Sequence, residues 1–220
     1  MLSLISDFGT MFCPKKKSVH RKKHRNHSAG TQPLHQVRMT ERVLLQILAE
    51  IGTKVPEQGG VLGISKCGVI SHFYYDSSAD KTGVTYSPDI AGIRPVLAQW
   101  DMEDIRFCGM IHSHPGNYGI PSHGDRIYAE RILKAMPRTL KGVMHMPIVT
   151  VDLRSKTATI RWYLAQMTAN GSVRIINSDL VVDGRRVRGP LRTQLPAASG
   201  SLRDETNFNY LPQKTEIRAY

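Results

Sequence analysis

The chain has 220 residues, 40% apolar and 22% charged, a balance that suits one soluble domain of about 150 residues with extra segments. No apolar stretch approaches the roughly 18 residues of a membrane span, which excludes an integral membrane protein, and three scattered cysteines, Cys13, Cys67 and Cys108, form no disulfide framework and point to a reducing cytoplasm. The formal charge of +12 suggests a nucleic-acid binder until it is divided along the chain, where residues 1–38 carry +7 and the remaining 182 carry +5.

Residues 1–38 therefore read as a basic, disordered tail. Its centre, Lys15 to Arg25, has no aromatic residue to stack a base, so any nucleic-acid contact there is expected to be nonspecific. Its apolar start precedes the basic cluster, the reverse of a secretory signal. After Met39, Val43, Leu44, Ile47, Leu48 and Ile51 repeat at helical spacing, and Gly52 and Pro56 close the helix. Residues 57–64 and 68–75 predict two strands joined near Cys67, and a second helix is expected around Pro95 to Trp100. Residues 106–114 read as a buried strand ended by Pro115-Gly116, and Ser122 opens a helix that runs to Pro137. Strands are expected over 146–153, 158–166 and 173–182, with a hairpin turn at Asn170-Gly171. The mixture predicts an α/β or α+β domain over residues 39–187, followed by a flexible or loosely docked tail over 188–220.

The most informative stretch runs from Gly109 to Asp125. On a strand, His112 and His114 leave the same face and can converge on one ion, and Asp125 joins them if the Pro-Gly-Asn-Tyr-Gly loop turns the chain back over the strand end. Zinc suits such a set, because a catalytic zinc takes three protein ligands and keeps a fourth position open. Each part also has an ordinary use: alternating histidines hydrogen-bond in cores, and Ser122-x-x-Asp125 fits a helix capping box. The combination arises by chance in a chain this long with a probability of only about 10⁻³. Cys108, four residues before the pair, falls on their face by strand alternation and is expected to pack in the core, and His123 and His145 are expected to support ligands at most.

These residues, His112-Ser113-His114-Pro115, Pro121-Ser122 and Asp125, with Glu57-Gln58-Gly59-Gly60-Val61-Leu62-Gly63 upstream, resemble the JAMM metalloproteases, the catalytically competent MPN domains. The resemblance covers about residues 39–184. It implies a curved mixed β-sheet flanked by helices, related to the cytidine-deaminase architecture, although the His-x-Glu and Pro-Cys-x-x-Cys signatures of deaminase chemistry are absent. It further implies one zinc ion on His112, His114 and Asp125, Glu57 as general base and acid, and Ser122 as hydrogen-bond donor to the oxyanion. Gly59, Gly60 and Gly63 are expected to serve close packing.

The resemblance implies hydrolysis of the amide bond after the C-terminal glycine of a ubiquitin-like protein. The compact domain looks more like bacterial members, some of which accompany activating and conjugating enzymes in anti-phage operons. Other members process sulfur-carrier proteins or other small-protein C-termini. A noncatalytic MPN scaffold and a polyanion-binding module are the readings from other functional classes.

Overall fold

A computed structural model describes residues 36–54, 57–81 and 86–195. The basic segment through residue 35, with Cys13, and the segment from residue 196 lie outside the described residues, and so do the expectations placed on them. In chain order the elements are β1 (Gln36–Met39), α1 (Glu41–Glu50), β2 (Gly59–Ile64), β3 (Val69–Tyr75), β4 (Asp80–Lys81) and β5 (Tyr86–Ser87). There follow α2 (Ile90–Met102), β6 (Arg106–His114), α3 (His123–Ala135), the short α4 (Pro137–Leu140), β7 (Val143–His145), β8 (Ile148–Asp152) and β9 (Thr157–Arg161). The last are β10 (Tyr163–Met167), β11 (Val173–Asn177), β12 (Asp179–Val182), β13 (Arg185–Val187) and β14 (Leu191–Gln194).

The expected mixed sheet flanked by helices is what forms. Its main path runs β11-β10-β7-β6-β2-β3-β1-β12-β13. Thr40 caps α1 by accepting the Val43 amide, and Val43, Leu44, Ile47 and Leu48 bury the apolar stripe against one face of the sheet. On the other face α2, α3 and α4 cover Val61, Phe107, Met110 and Met144. Alternate residues of β2 serve the two cores, Val61 one and Leu62 the other, as the period of two requires.

β6 is the strand that places the site. It pairs antiparallel with β2, while its other edge changes partner along its length: Gly109 lies opposite His145 of β7, and His112–His114 run parallel to Ile148–Thr150 of β8. The sheet forks there, with β7-β10-β11 on one branch and β8-β9-β14 on the other. Gly109 permits the close approach, since a Cβ would stand 1.9 Å from the His145 carbonyl oxygen.

Several boundaries differ from the sequence expectation. The ordered fold extends past 39–187 at both ends, because β1 begins at Gln36 on a parallel register with β12, and β14 pairs with β9 and buries Leu191. The second helix starts at Ile90, where Asp89 caps it by accepting the Ala91 amide; Ile90, Ile93, Leu97 and Trp100 carry one buried face through Pro95. The segments 158–166 and 173–182 each split in two. Trp162 and Ser178 are the breaks, joined by a 2.9 Å hydrogen bond from the Ser178 amide to the Trp162 carbonyl, and the halves go to different parts of the sheet.

Candidate metal centre

Asp125 reaches the strand because of the turn between His114 and Ser122. Gly116 takes φ +58°, a left-handed conformation that favours glycine. The Gly119 carbonyl accepts the buried Tyr163 hydroxyl at 2.7 Å, which pins the loop to β10. The chain then enters α3 through a complete capping box: Ser122 Oγ accepts the Asp125 amide at 3.2 Å, and Asp125 Oδ2 accepts the Ser122 amide at 2.6 Å.

The donor atoms converge. His112 Nε2 lies 2.8 Å from His114 Nε2 and 3.1 Å from Asp125 Oδ1, and His114 Nε2 lies 3.4 Å from Asp125 Oδ2. Tetrahedral zinc with bonds of about 2.0 to 2.1 Å sets neighbouring donors roughly 3.3 Å apart, close to these separations. The tautomer of His114 fits as well. Its Nδ1 faces the Tyr118 carbonyl oxygen at 3.0 Å; a carbonyl only accepts, so Nδ1 carries the proton and the neutral ring offers a bare Nε2. Two such nitrogens and a carboxylate can hold a divalent transition metal.

The electrostatics follow from this packing. Burial would raise the Asp125 pKa, but hydrogen bonds from His112 and His114 and from the Ser122 amide hold the carboxyl well below its usual range. Burial opposes the charge on His114, yet the Asp125 carboxylate and the Tyr118 carbonyl outweigh it and raise the imidazole pKa. Glu57, only 5% exposed, precedes β2 in the wall of the same cleft. Loss of water raises its pKa, against the opposing influence of His112 and His114.

Ser113, between the two histidines, serves the opposite face. Its backbone N–H donates to the Gln58 carbonyl at 2.7 Å, and its Oγ accepts the Gln58 amide at 2.9 Å. The residue after Glu57 is thereby fastened to the strand that carries the histidines. Tyr75 adds a hydroxyl contact to Gln58 Oε1. Strand alternation was enough to place Ser113 on that face, whereas the Tyr118 carbonyl and the residues of β3 and β5 left no signal at this spacing.

His145 and His123 lie outside the donor set. His145 Nδ1 accepts the Trp162 indole N–H at 3.1 Å, and loss of water pushes its pKa down to about 4, so it is a neutral packing element. His123 is exposed at the start of α3. Cys108 packs in the core as expected but on the other face from the histidines. The β2–β6 register passes from Leu62↔Gly109 to Gly63↔Phe107, so Cys108 is the extra residue of a β-bulge, and the alternation inverts there. Its thiol donates to the Leu62 carbonyl, and burial pushes its pKa far up, which removes it as a thiolate ligand.

The centre opens into a cleft of about 560 Å³ between the start of α2 and the N-terminal half of α3. Met110, Met144 and Met146 lie along the sheet side of it, and Ile90 and Ile132 come from the two helices. Among the described residues no helix is long and apolar enough to cross a membrane.

No family model matches the chain, and no curated protein does. Among solved structures the chain is similar to a Desulfitobacterium hafniense protein determined in solution, at 16% identity and a TM-score of 0.49, over 66% of this chain and 92% of that one. It is also similar to a JAB1/MPN domain protein from Archaeoglobus fulgidus, determined by crystallography, at 17% identity and a TM-score of 0.35, over 66% of this chain and 98% of that one.

Proposed function

We propose that the chain is a zinc-dependent peptidase of the JAMM type that hydrolyses the amide bond after the C-terminal glycine of a ubiquitin-like protein, removing or maturing the modifier. One observation carries this reading: His112, His114 and Asp125 bring three donor groups together with Glu57 in the wall of the same cleft. Zinc held there supplies Lewis acidity and lowers the pKa of a bound water towards about 7.

The chain's own residues account for the proton movements. Glu57 takes a proton as the water oxygen bonds to the scissile carbonyl carbon, and returns it to the nitrogen as the C–N bond breaks. That return is required because a lysine amine has an ordinary pKa of about 10.4 and cannot leave as an anion. Ser122 donates its hydroxyl hydrogen to the carbonyl oxygen as that oxygen gains charge, while its oxygen continues to accept the Asp125 amide. The apolar cleft limits water around these groups.

The ubiquitin-like substrate, a bacterial type of setting with activating and conjugating enzymes nearby, and action in the cytoplasm belong to this proposal through the resemblance of the motif. Trimming of a sulfur-carrier protein or another small-protein C-terminus uses the same chemistry. The test is a ubiquitin-like protein joined through its terminal glycine to a reporter or to a lysine side chain, with the products located by mass spectrometry. Cleavage directly after the glycine, abolished by a chelator, supports the proposal. Metal binding without cleavage of any amide substrate supports a noncatalytic scaffold, and cleavage that survives metal removal overturns the zinc mechanism.

A further inference from the structure

Tyr86 lies 29 residues beyond Glu57 and 26 before His112 in the sequence, yet it touches both. Its backbone faces the Glu57 carboxylate in the cleft wall and works against the rise that burial gives the Glu57 pKa. Its ring stacks on the His112 imidazole, with centroids 6.3 Å apart and planes 11° from parallel. The opposite side of the strand path is equally constrained: a Cβ on Gly59 would stand 2.5 to 2.7 Å from the Tyr86 ring atoms, so the ring rests on bare backbone.

What holds Tyr86 there is a buried carboxylate outside the motif. Asp76, 1% exposed, accepts the Tyr86 hydroxyl at 3.0 Å and the Asp89 amide at 2.8 Å on one oxygen, Oδ2. Its own backbone N–H donates to the Gly59 carbonyl at 3.0 Å. Asp76 therefore ties the end of β3 to the start of β2, to β5 and to the cap of α2. Tyr86 and Ser87 are thereby held in the wall of the cleft beside the metal centre. A buried carboxylate is costly unless its acceptor capacity is used, and here one oxygen serves both the Tyr86 hydroxyl and the amide that opens α2.

We propose that Tyr86, tethered by Asp76, is a positioning residue that fixes the ring plane of His112 and the carboxylate of Glu57. The inference rests on the metal-centre reading above and adds to it the device that orients the ligand and the base. Groups that orient metal ligands typically change metal affinity or activity 10- to 100-fold when lost.

The test uses the full chain with three substitutions and reads zinc affinity by competition with a chelating dye, the visible spectrum of the cobalt-loaded protein, and kcat and KM separately. Tyr86→Phe keeps the ring and loses the tether; it should retain zinc and lose at least about 10-fold in kcat with KM unchanged. Tyr86→Leu removes the ring and should also weaken zinc about 10- to 100-fold and alter the cobalt spectrum, so that phenylalanine partly rescues what leucine loses. Gly59→Ala, which forces the ring away, should resemble Tyr86→Leu. Wild-type zinc affinity and cobalt spectrum in folded Tyr86→Leu and Gly59→Ala would overturn the inference. If those two fail to fold, Tyr86→Phe decides, and unchanged kcat and zinc affinity in it would overturn the inference equally. If the wild type binds zinc and cleaves no amide, the peptidase reading falls while Tyr86 is still judged on affinity and spectrum. A wild type without specific zinc overturns both.

Discussion

Ser122 and Asp125 exchange two hydrogen bonds across the first turn of α3, and the same Asp125 oxygen that accepts the Ser122 amide at 2.6 Å faces His114 Nε2 at 3.4 Å. One carboxylate thus starts the helix and completes the donor set. A helix cap has a fixed direction relative to the helix axis, so the metal donor inherits its orientation from secondary structure rather than from a free rotamer.

This double duty can be separated by substitution. Asp125→Asn retains an acceptor for the Ser122 amide but loses the charge, and should lose zinc while keeping the helix cap. Asp125→Ala should lose zinc and also about 1 kcal/mol of stability from the broken cap. Zinc content and the melting temperature after chelator treatment check the pair; equal melting temperatures for the two variants would contradict the capping contribution.

Ser122→Ala should keep zinc, lose a similar amount of stability, and slow cleavage by about 10² to 10³ if its hydroxyl faces the developing oxyanion. Single-turnover rates on the fusion substrate check it. A rate within threefold of wild type would leave Ser122 as a cap only.

Glu57→Gln should retain zinc and fold while cleavage drops at least about 10². Burial raises the Glu57 pKa, and the base must be ionised to accept a proton. Activity in the wild type should therefore begin to fall, as pH is lowered, at a pH above that of a freely exposed glutamate. The pH dependence of kcat/KM checks this, and an acid limb at or below the ordinary glutamate value would contradict it.

Zinc binding should release protons. The raised His114 pKa keeps the metal-free imidazole protonated to higher pH than usual, whereas the depressed Asp125 pKa keeps that carboxylate ionised. Binding needs the bare Nε2, so apparent affinity should fall as pH is lowered through the weakly acidic range, and Asp125 should contribute no proton. Calorimetry in buffers of different ionisation enthalpy checks it; affinity independent of pH between about 6 and 8 would contradict it.

The helix and strand types and the same-face histidine pair were legible because they depend on local periodicity, whereas the curved sheet was expected only through the resemblance. His112 and His114 alternate on one strand, and Val43 to Ile51 mark one buried helix face. What was hidden depends on contacts between distant segments. The bulge at Cys108 inverts its face only because β2 shifts register beside it, and nothing within residues 106–114 shows this. Trp162 divides an apolar run because β9 and β10 join different branches of the fork, and Ser178 divides β11, on one branch, from β12, which pairs with β1 at the other end of the path. Asp76 and Tyr86 meet ten residues apart in the sequence, and no spacing rule links them.

The added strands at both ends carry a prediction about the minimal domain. Residues 36–195 should bind zinc as the full chain does, whereas ending at residue 190 removes β14 and the buried Leu191. Burying a leucine contributes about 1.5 to 3 kcal/mol, so the shorter chain should melt several degrees lower. Equal thermal transitions would show that β14 adds no stability.

The most direct measurement is the zinc content per chain of the purified protein beside a folded His112→Ala, His114→Ala double variant. The metal-centre account predicts one zinc per wild-type chain and none held specifically by the variant. Equal zinc in both, or none in a wild type offered zinc, would contradict it.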